Sequence, residues 1–284
     1  MDYTTLLPAE VLRDRLGDSR WVILDVRHDL FDLAAGRRAY EAGHVPGAQF
    51  ASIDDDLSGT KTGRNGRHPL PARDALSARF RAWGIGKDSQ IVVYDAQGGQ
   101  FAARLWWLAR WLGHQRVAVL DGGWPAWLAA GGSTESASAV RAPGNFSAGA
   151  SLAGVVTADA VLATLGDPGH LLLDARLPER YRGEQEPIDP VAGHIPGALN
   201  RPWQHNLAPD QRFKTPAELK ADFSALLGAR PAGAVAHQCG SGVTACHNVL
   251  AMEVAGLPGS ALYAGSWSEW IADPVRPIRT GAEP

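Results

Sequence analysis

Apolar runs of four or five residues recur through the chain, each ending on a charged or small residue: WVILDVR (21–27), QIVVYDA (90–96), HLLLDAR (170–176) and GAVAHQC (233–239). Runs this short and this rich in aliphatic residues predict buried strands. Between them the spacing changes. GQFAARLWWLARWLG (99–113) and TPAELKADFSALLG (215–228) carry apolar residues three and four apart, as a helix packed on one face requires. Strands alternating with helices predict a parallel β-sheet flanked by helices in each half, so the fold class is α/β.

The pattern also repeats. WVILDVR returns as HLLLDAR, EAGHVPGA (41–48) as VAGHIPGA (191–198), QIVVYDA as GAVAHQC, and VLDGGWPAW (119–127) as LYAGSWSEW (262–270), all in the same order. Four motifs in one order predict a duplication, and the period is far too long for a solenoid unit, so each copy is a whole domain. The stretch AAGGSTESASAVRAPGNFSAGASLAG (129–154) is rich in small residues and reads as a linker. The expected organisation is a domain over 1–130, a linker over 131–154 and a second domain over 155–284. Tryptophans at helical spacing (Trp106, Trp107, Trp111, Trp124, Trp127, Trp267, Trp270) read as packing.

Chemistry concentrates where GAVAHQC gives out. Cys239 is followed by Gly240, Ser241, Gly242, Val243 and Thr244, and then by the helical run of VTACHNVLAMEVAG. Strand, tight loop and helix start together aim backbone N–H groups at one point and favour an anion, so Cys239 is expected as a thiolate nucleophile. In parallel sheets ligands sit beyond the carboxyl ends of strands, where Cys239 falls. The first copy carries Ala96 at the position aligned with it and is expected to be inactive. Cys246, inside the helical run, reads as packing. His237, Cys239, Cys246 and His247 do not match the spacing of a zinc site, and a disulfide is not expected. Two cysteines, a formal net charge of −3 and the lack of an apolar run of membrane-spanning length predict a cytoplasmic chain with small soluble partners and neither nucleic acid nor membrane.

The set LLLDAR, GHIPGA, the Cys239 loop and the closing GSWSEW resembles the tandem-domain rhodanese family of sulfurtransferases over about residues 4–278. The resemblance implies two tandem rhodanese-like domains, the second catalytic, with a sulfane sulfur carried as a persulfide on Cys239 and no metal or organic cofactor. The loop CGSGVTAC (239–246) looks like the version in 3-mercaptopyruvate sulfurtransferases, whereas thiosulfate-preferring members carry two basic residues after the cysteine. By the same resemblance Arg180 binds the donor carboxylate, residues 240–244 cradle the sulfur, and Ser241 handles protons with His68 and an aspartate of IDDDLS (53–58). Asp54 aligns best there, with Asp56 as the alternative. Animal mercaptopyruvate enzymes carry a second arginine just after the EP of this segment, where this chain has Ile188; Arg182 or Arg201 are the expected substitutes.

The implied donor is 3-mercaptopyruvate and the acceptor a thiol, cyanide or a thioredoxin-like protein. The alternatives are thiosulfate as donor and a non-catalytic sulfur-relay module. A cysteine phosphatase would need arginine where the chain has Ala245. By composition alone, Arg180 beside Glu179 and Glu184 reads as a solvated ion pair. His44 and His194, present in both copies, read as turn residues.

Overall fold

The computed structural model describes residues 2–284. The chain forms two compact units. One comprises the described residues up to Gly59, Pro71–Leu152 and Pro209–Phe213; the other comprises Thr60–Leu70, Ala153–Ala208 and Lys214–Pro284.

The first unit holds strands β1 (Leu6–Leu7), β2 (Trp21–Asp25), β3 (Gln49–Phe50), β4 (Gln90–Tyr94) and β5 (Val117–Leu120) in the order β1-β5-β4-β2-β3, every pairing parallel. The second holds β6 (Gly154–Val156), β7 (Leu171–Asp174), β8 (Leu199–Asn200), β9 (Val235–Gln238) and β10 (Ala261–Tyr263) in the order β6-β10-β9-β7-β8, also all parallel. The two orders are the same order, so the duplication read from the motifs is a duplication of whole domains, each α/β.

The predicted helices take the places their periodicity demands. The run beginning GQFAARLW becomes the helix Ala102–Trp111, in which every residue from Ala102 to Ala109 is buried, Arg104 included. Its counterpart, the helix Ala245–Val254, is buried from Ala245 to Met252, Cys246 among them. The helix Pro216–Leu227 starts on a capping box: the Thr215 hydroxyl accepts the Glu218 amide, and the Thr215 amide donates to the Glu218 carboxylate at 2.9 Å. All seven tryptophans singled out above except Trp111 and Trp124 are buried to within a few per cent.

Two segments pack differently from their sequence reading. Residues 131–152 belong to the first unit: Glu135 bridges to His44, Arg141 donates to the Trp21 carbonyl at 3.1 Å, and Phe146 packs on Phe80. Most of this stretch is exposed, but these contacts and the buried Phe146 tie it to the unit. Residues 60–70, with His68, belong to the second unit. Gly66 lies with φ +84 and its missing Cβ would stand 2.7 Å from the Gly265 carbonyl oxygen, so only glycine lets this segment lie against the 265–268 turn.

Candidate active site

Strand β9 ends at Gln238 and delivers Cys239 to the carboxyl edge of the second sheet. The thiol is 2 % exposed, and its Sγ accepts the Gly242 amide at 3.1 Å. That amide points inward because Gly242 is left-handed, φ +75, and a Cβ there would fall 2.1 Å from the Ala264 carbonyl oxygen. The loop is pinned from the 265–268 turn. Trp267 N donates to Cys239 O at 2.9 Å, Ser268 N to Gly240 O at 3.0 Å, and Cys239 N to the Ser266 hydroxyl at 3.1 Å. Ser266 itself holds φ +54, a conformation that costs a serine energy and places its hydroxyl under Cys239.

Val243 is buried and Thr244 precedes the helix Ala245–Val254 without a side-chain cap. Cys246 Sγ donates to Gly242 O at 3.3 Å, and the two cysteines are not joined. His237 Nε2 meets the Met252 sulfur at 3.2 Å and His247 bonds Asn206 at 3.0 Å, so the four Cys and His side chains of this stretch face separate partners.

Ser241 and His68 come together: the Ser241 hydroxyl and His68 Nδ1 are 2.8 Å apart and both residues are buried. Asp54 lies in the first unit, in the turn after β3. In the same turn Asp56 accepts the Ser52 amide at 2.8 Å and pairs with Arg79 at 2.9 Å, so both its oxygens serve the local fold. Burial raises the Asp56 carboxyl above its ordinary range against those contacts.

Arg180, on the short helix Pro178–Tyr181, is not a solvated pair with Glu179 or Glu184; Arg182 makes that pairing, at 2.7 Å to Glu184. Arg180 instead reaches the buried Glu186 at 2.7 Å and Asp189 at 3.0 Å. Arg67 joins Asp189 from the other side. Arg176, whose partner is Asp174 at 2.6 Å, also faces Glu186 at 3.5 Å. Burial opposes the charge on Arg176, but Asp174, Glu186 and Cys239 around it hold the guanidinium above its ordinary value. Neither substitute foreseen for an arginine at 188 serves the loop: Arg182 faces Glu184, and Arg201 is taken up by Asn206 and Asp222. Arg67 was missed because nothing local distinguishes it; it gains meaning only through Asp189, a distant residue in sequence. Arg176 had a signal, the Asp-x-Arg repeated as Asp25 and Arg27 in the first copy.

The sheet register changes one equivalence. Asp25 lies opposite Tyr94 and Asp174 opposite Gln238. The next residues, Asp95 and Cys239, are therefore counterparts, and their carbonyls accept the matching Trp124 and Trp267 amides at 2.7 and 2.9 Å. Ala96 is not at the cysteine position; the first loop is one residue longer, which shifted the motif alignment. The Asp95 carboxylate accepts the amides of Gln97, Gly99, Phe101 and Ala102 at 2.8–2.9 Å. The first copy thus fills its own loop with a carboxyl group, which burial pushes above its ordinary range against those amides.

A buried cysteine whose sulfur accepts a loop amide at the end of a parallel strand, present in one of two duplicated α/β units, is placed for group transfer through cysteine. The rhodanese-like domain profile matches residues 8–130 and 157–273. The chain is 48 % identical over 283 residues to a probable 3-mercaptopyruvate sulfurtransferase of Pseudomonas aeruginosa, covering 99 % of this chain and 100 % of the relative. It is 44 % identical to a putative thiosulfate sulfurtransferase, SseB, of Mycobacterium tuberculosis, covering 91 % and 90 %. The crystal structure of SseA from Escherichia coli, a 3-mercaptopyruvate sulfotransferase, superimposes with a TM-score of 0.80 at 31 % identity, covering 93 % of this chain and 99 % of that one. The chain belongs to the rhodanese family of sulfurtransferases, in its two-domain form.

Proposed function

We propose that this enzyme moves the sulfur of 3-mercaptopyruvate to a thiol acceptor through a persulfide on Cys239. The Cys239 thiolate attacks the donor sulfur, the C–S bond breaks, and its electron pair leaves as the enolate of pyruvate. The proton of the new persulfide passes to the enolate carbon, so the products are pyruvate and an anionic Cys239 persulfide. An acceptor thiol then takes the outer sulfur and restores the Cys239 thiolate. Backbone amides of 240–244 hold the persulfide, and Arg180 binds the donor carboxylate. Ser241 and His68 carry the proton, while Asp56 is engaged with Ser52 and Arg79.

The observation that carries this reading is the Cys239 loop, with one thiol accepting an inward amide and the Ser241–His68 pair beside it. The charge around the loop favours the mercaptopyruvate donor. Three guanidiniums, of Arg67, Arg176 and Arg180, face three carboxylates, of Asp174, Glu186 and Asp189, and leave no net charge to offset the second negative charge of thiosulfate. A thioredoxin-like protein is the proposed acceptor and the cytoplasm the proposed location; no helix among the described residues is long and apolar enough to cross a membrane. Pyruvate release from mercaptopyruvate against sulfite release from thiosulfate, with one thiol acceptor at one pH, tests the donor. A kcat/KM at least about tenfold higher for mercaptopyruvate is expected; thiosulfate equal or better would reverse the assignment.

A further inference from the structure

Arg180 spends Nε and Nη2 on Glu186 and Asp189 and leaves Nη1 without a hydrogen bond among the described residues. Arg67 spends Nη1 on Asp189 and leaves Nε and Nη2. Arg180 Nη1 and Arg67 Nη2 converge on one place. A Cβ built on Gly240 would lie 3.0 Å from Arg67 Nη2 and 3.4 Å from Arg180 Nη1. Asp189 is 7 % exposed and ties the two side chains to each other, and the Arg67 amide is anchored on the Ser268 hydroxyl at 2.9 Å. Two guanidinium ends that reach one point beside the nucleophile's neighbour, tied together by a shared carboxylate, can grip a planar oxyanion.

We infer that Arg67 is a specificity-determining residue that shares the donor carboxylate with Arg180, and that Asp189 is the positioning residue that sets their spacing. This rests on the mercaptopyruvate reading above. The two guanidiniums discriminate donors by their carboxylate: an α-keto thiol with one is held with its sulfur toward Cys239, and one without it is not. Asp189 neutralises part of the guanidiniums' charge, which fits a monoanionic group better than a dianion.

The test compares 3-mercaptopyruvate with mercaptoacetone, the same thiol ketone with a methyl in place of the carboxylate, in wild type, Arg67→Ala and Arg67→Lys. Pyruvate or acetone release and persulfide formation are followed by mass. Arg67→Ala is expected to lose about tenfold to a hundredfold in kcat/KM for mercaptopyruvate, chiefly through KM, and little for mercaptoacetone. Arg67→Lys recovers part of the loss, and transfer from preloaded persulfide to the thiol acceptor stays at the wild-type rate. Equal losses for both donors, or an undiminished preference for the carboxylate in Arg67→Ala, would overturn the inference while leaving the donor reading intact. Wild type that forms no persulfide from mercaptopyruvate would overturn both.

Discussion

Adding one methyl at Gly240 separates activity from stability. The three atoms nearest to a Cβ there are side-chain nitrogens: Arg67 Nη2 at 3.0 Å and the two terminal nitrogens of Arg180 at 3.4 Å. These are the ends of flexible side chains, so they retreat by a few tenths of an ångström and the fold bears little cost. Alanine also removes conformational freedom from the unfolded chain, which stabilises by about 0.4–1 kcal/mol where the backbone tolerates it. The donor meets the opposite outcome. Displacing one guanidinium from its carboxylate removes a charge-assisted hydrogen bond, about 1.5–3 kcal/mol, or roughly a tenfold to hundredfold loss in kcat/KM. Gly242→Ala is the contrast, because its Cβ would fall 2.1 Å from the Ala264 carbonyl oxygen in a left-handed residue, φ +75, and it destabilises the loop itself. Steady-state kinetics with mercaptopyruvate and thermal unfolding of both variants provide the assay. Gly240→Ala with wild-type kcat/KM would refute the placement of the guanidiniums, and Gly240→Ala that unfolds as readily as Gly242→Ala would refute the separation.

Ser266→Gly, which installs the residue found at the matching Gly123, relieves the strained φ of +54 but removes the hydroxyl that accepts the Cys239 amide at 3.1 Å and donates to Tyr263 O at 2.9 Å. Unfolding free energy within about 1 kcal/mol of wild type with persulfide loading slowed severalfold is expected; unchanged stopped-flow loading would remove Ser266 from the site's support. His237, fully buried on β9, is pushed by burial from 6.5 down to about 3, so it stays neutral in the folded chain while the unfolded chain binds a proton below about pH 6.5. Stability is therefore flat in this group above pH 6.5 and falls as pH drops toward 3, by about 2 kcal/mol between pH 7 and pH 5. Denaturant unfolding of His237→Leu should lack that part of the slope, and parallel slopes for the two proteins would contradict it.

What the sequence made legible was whatever repeats or lies close in the chain. The apolar runs located β2, β4, β7 and β9, the motif order disclosed the duplication, and the glycines after Cys239 marked a loop at a strand end. What it hid depends on partners far apart. Motif matching chose Ala96 as the counterpart of Cys239, and only the pairing of Asp25 with Tyr94 and of Asp174 with Gln238 moved it to Asp95. By composition alone Arg180 beside Glu184 reads as a surface pair, because chain neighbours are the only partners visible; its actual partners, Glu186 and Asp189, are brought in by the fold. Arg67 belongs to a segment whose packing against Ser268 and Asp189 has no local periodicity to announce it.

In the proposed mechanism Cys239, held by its own loop, carries the transferred sulfur. Intact-mass and peptide analysis after exposure to 3-mercaptopyruvate without acceptor tests this, with Cys239→Ser and Cys246→Ser alongside wild type. One added sulfur is expected on the Cys239 peptide, released by a thiol acceptor, present in Cys246→Ser and lost together with turnover in Cys239→Ser. Sulfur retained on Cys246, or pyruvate production persisting in Cys239→Ser, would contradict it.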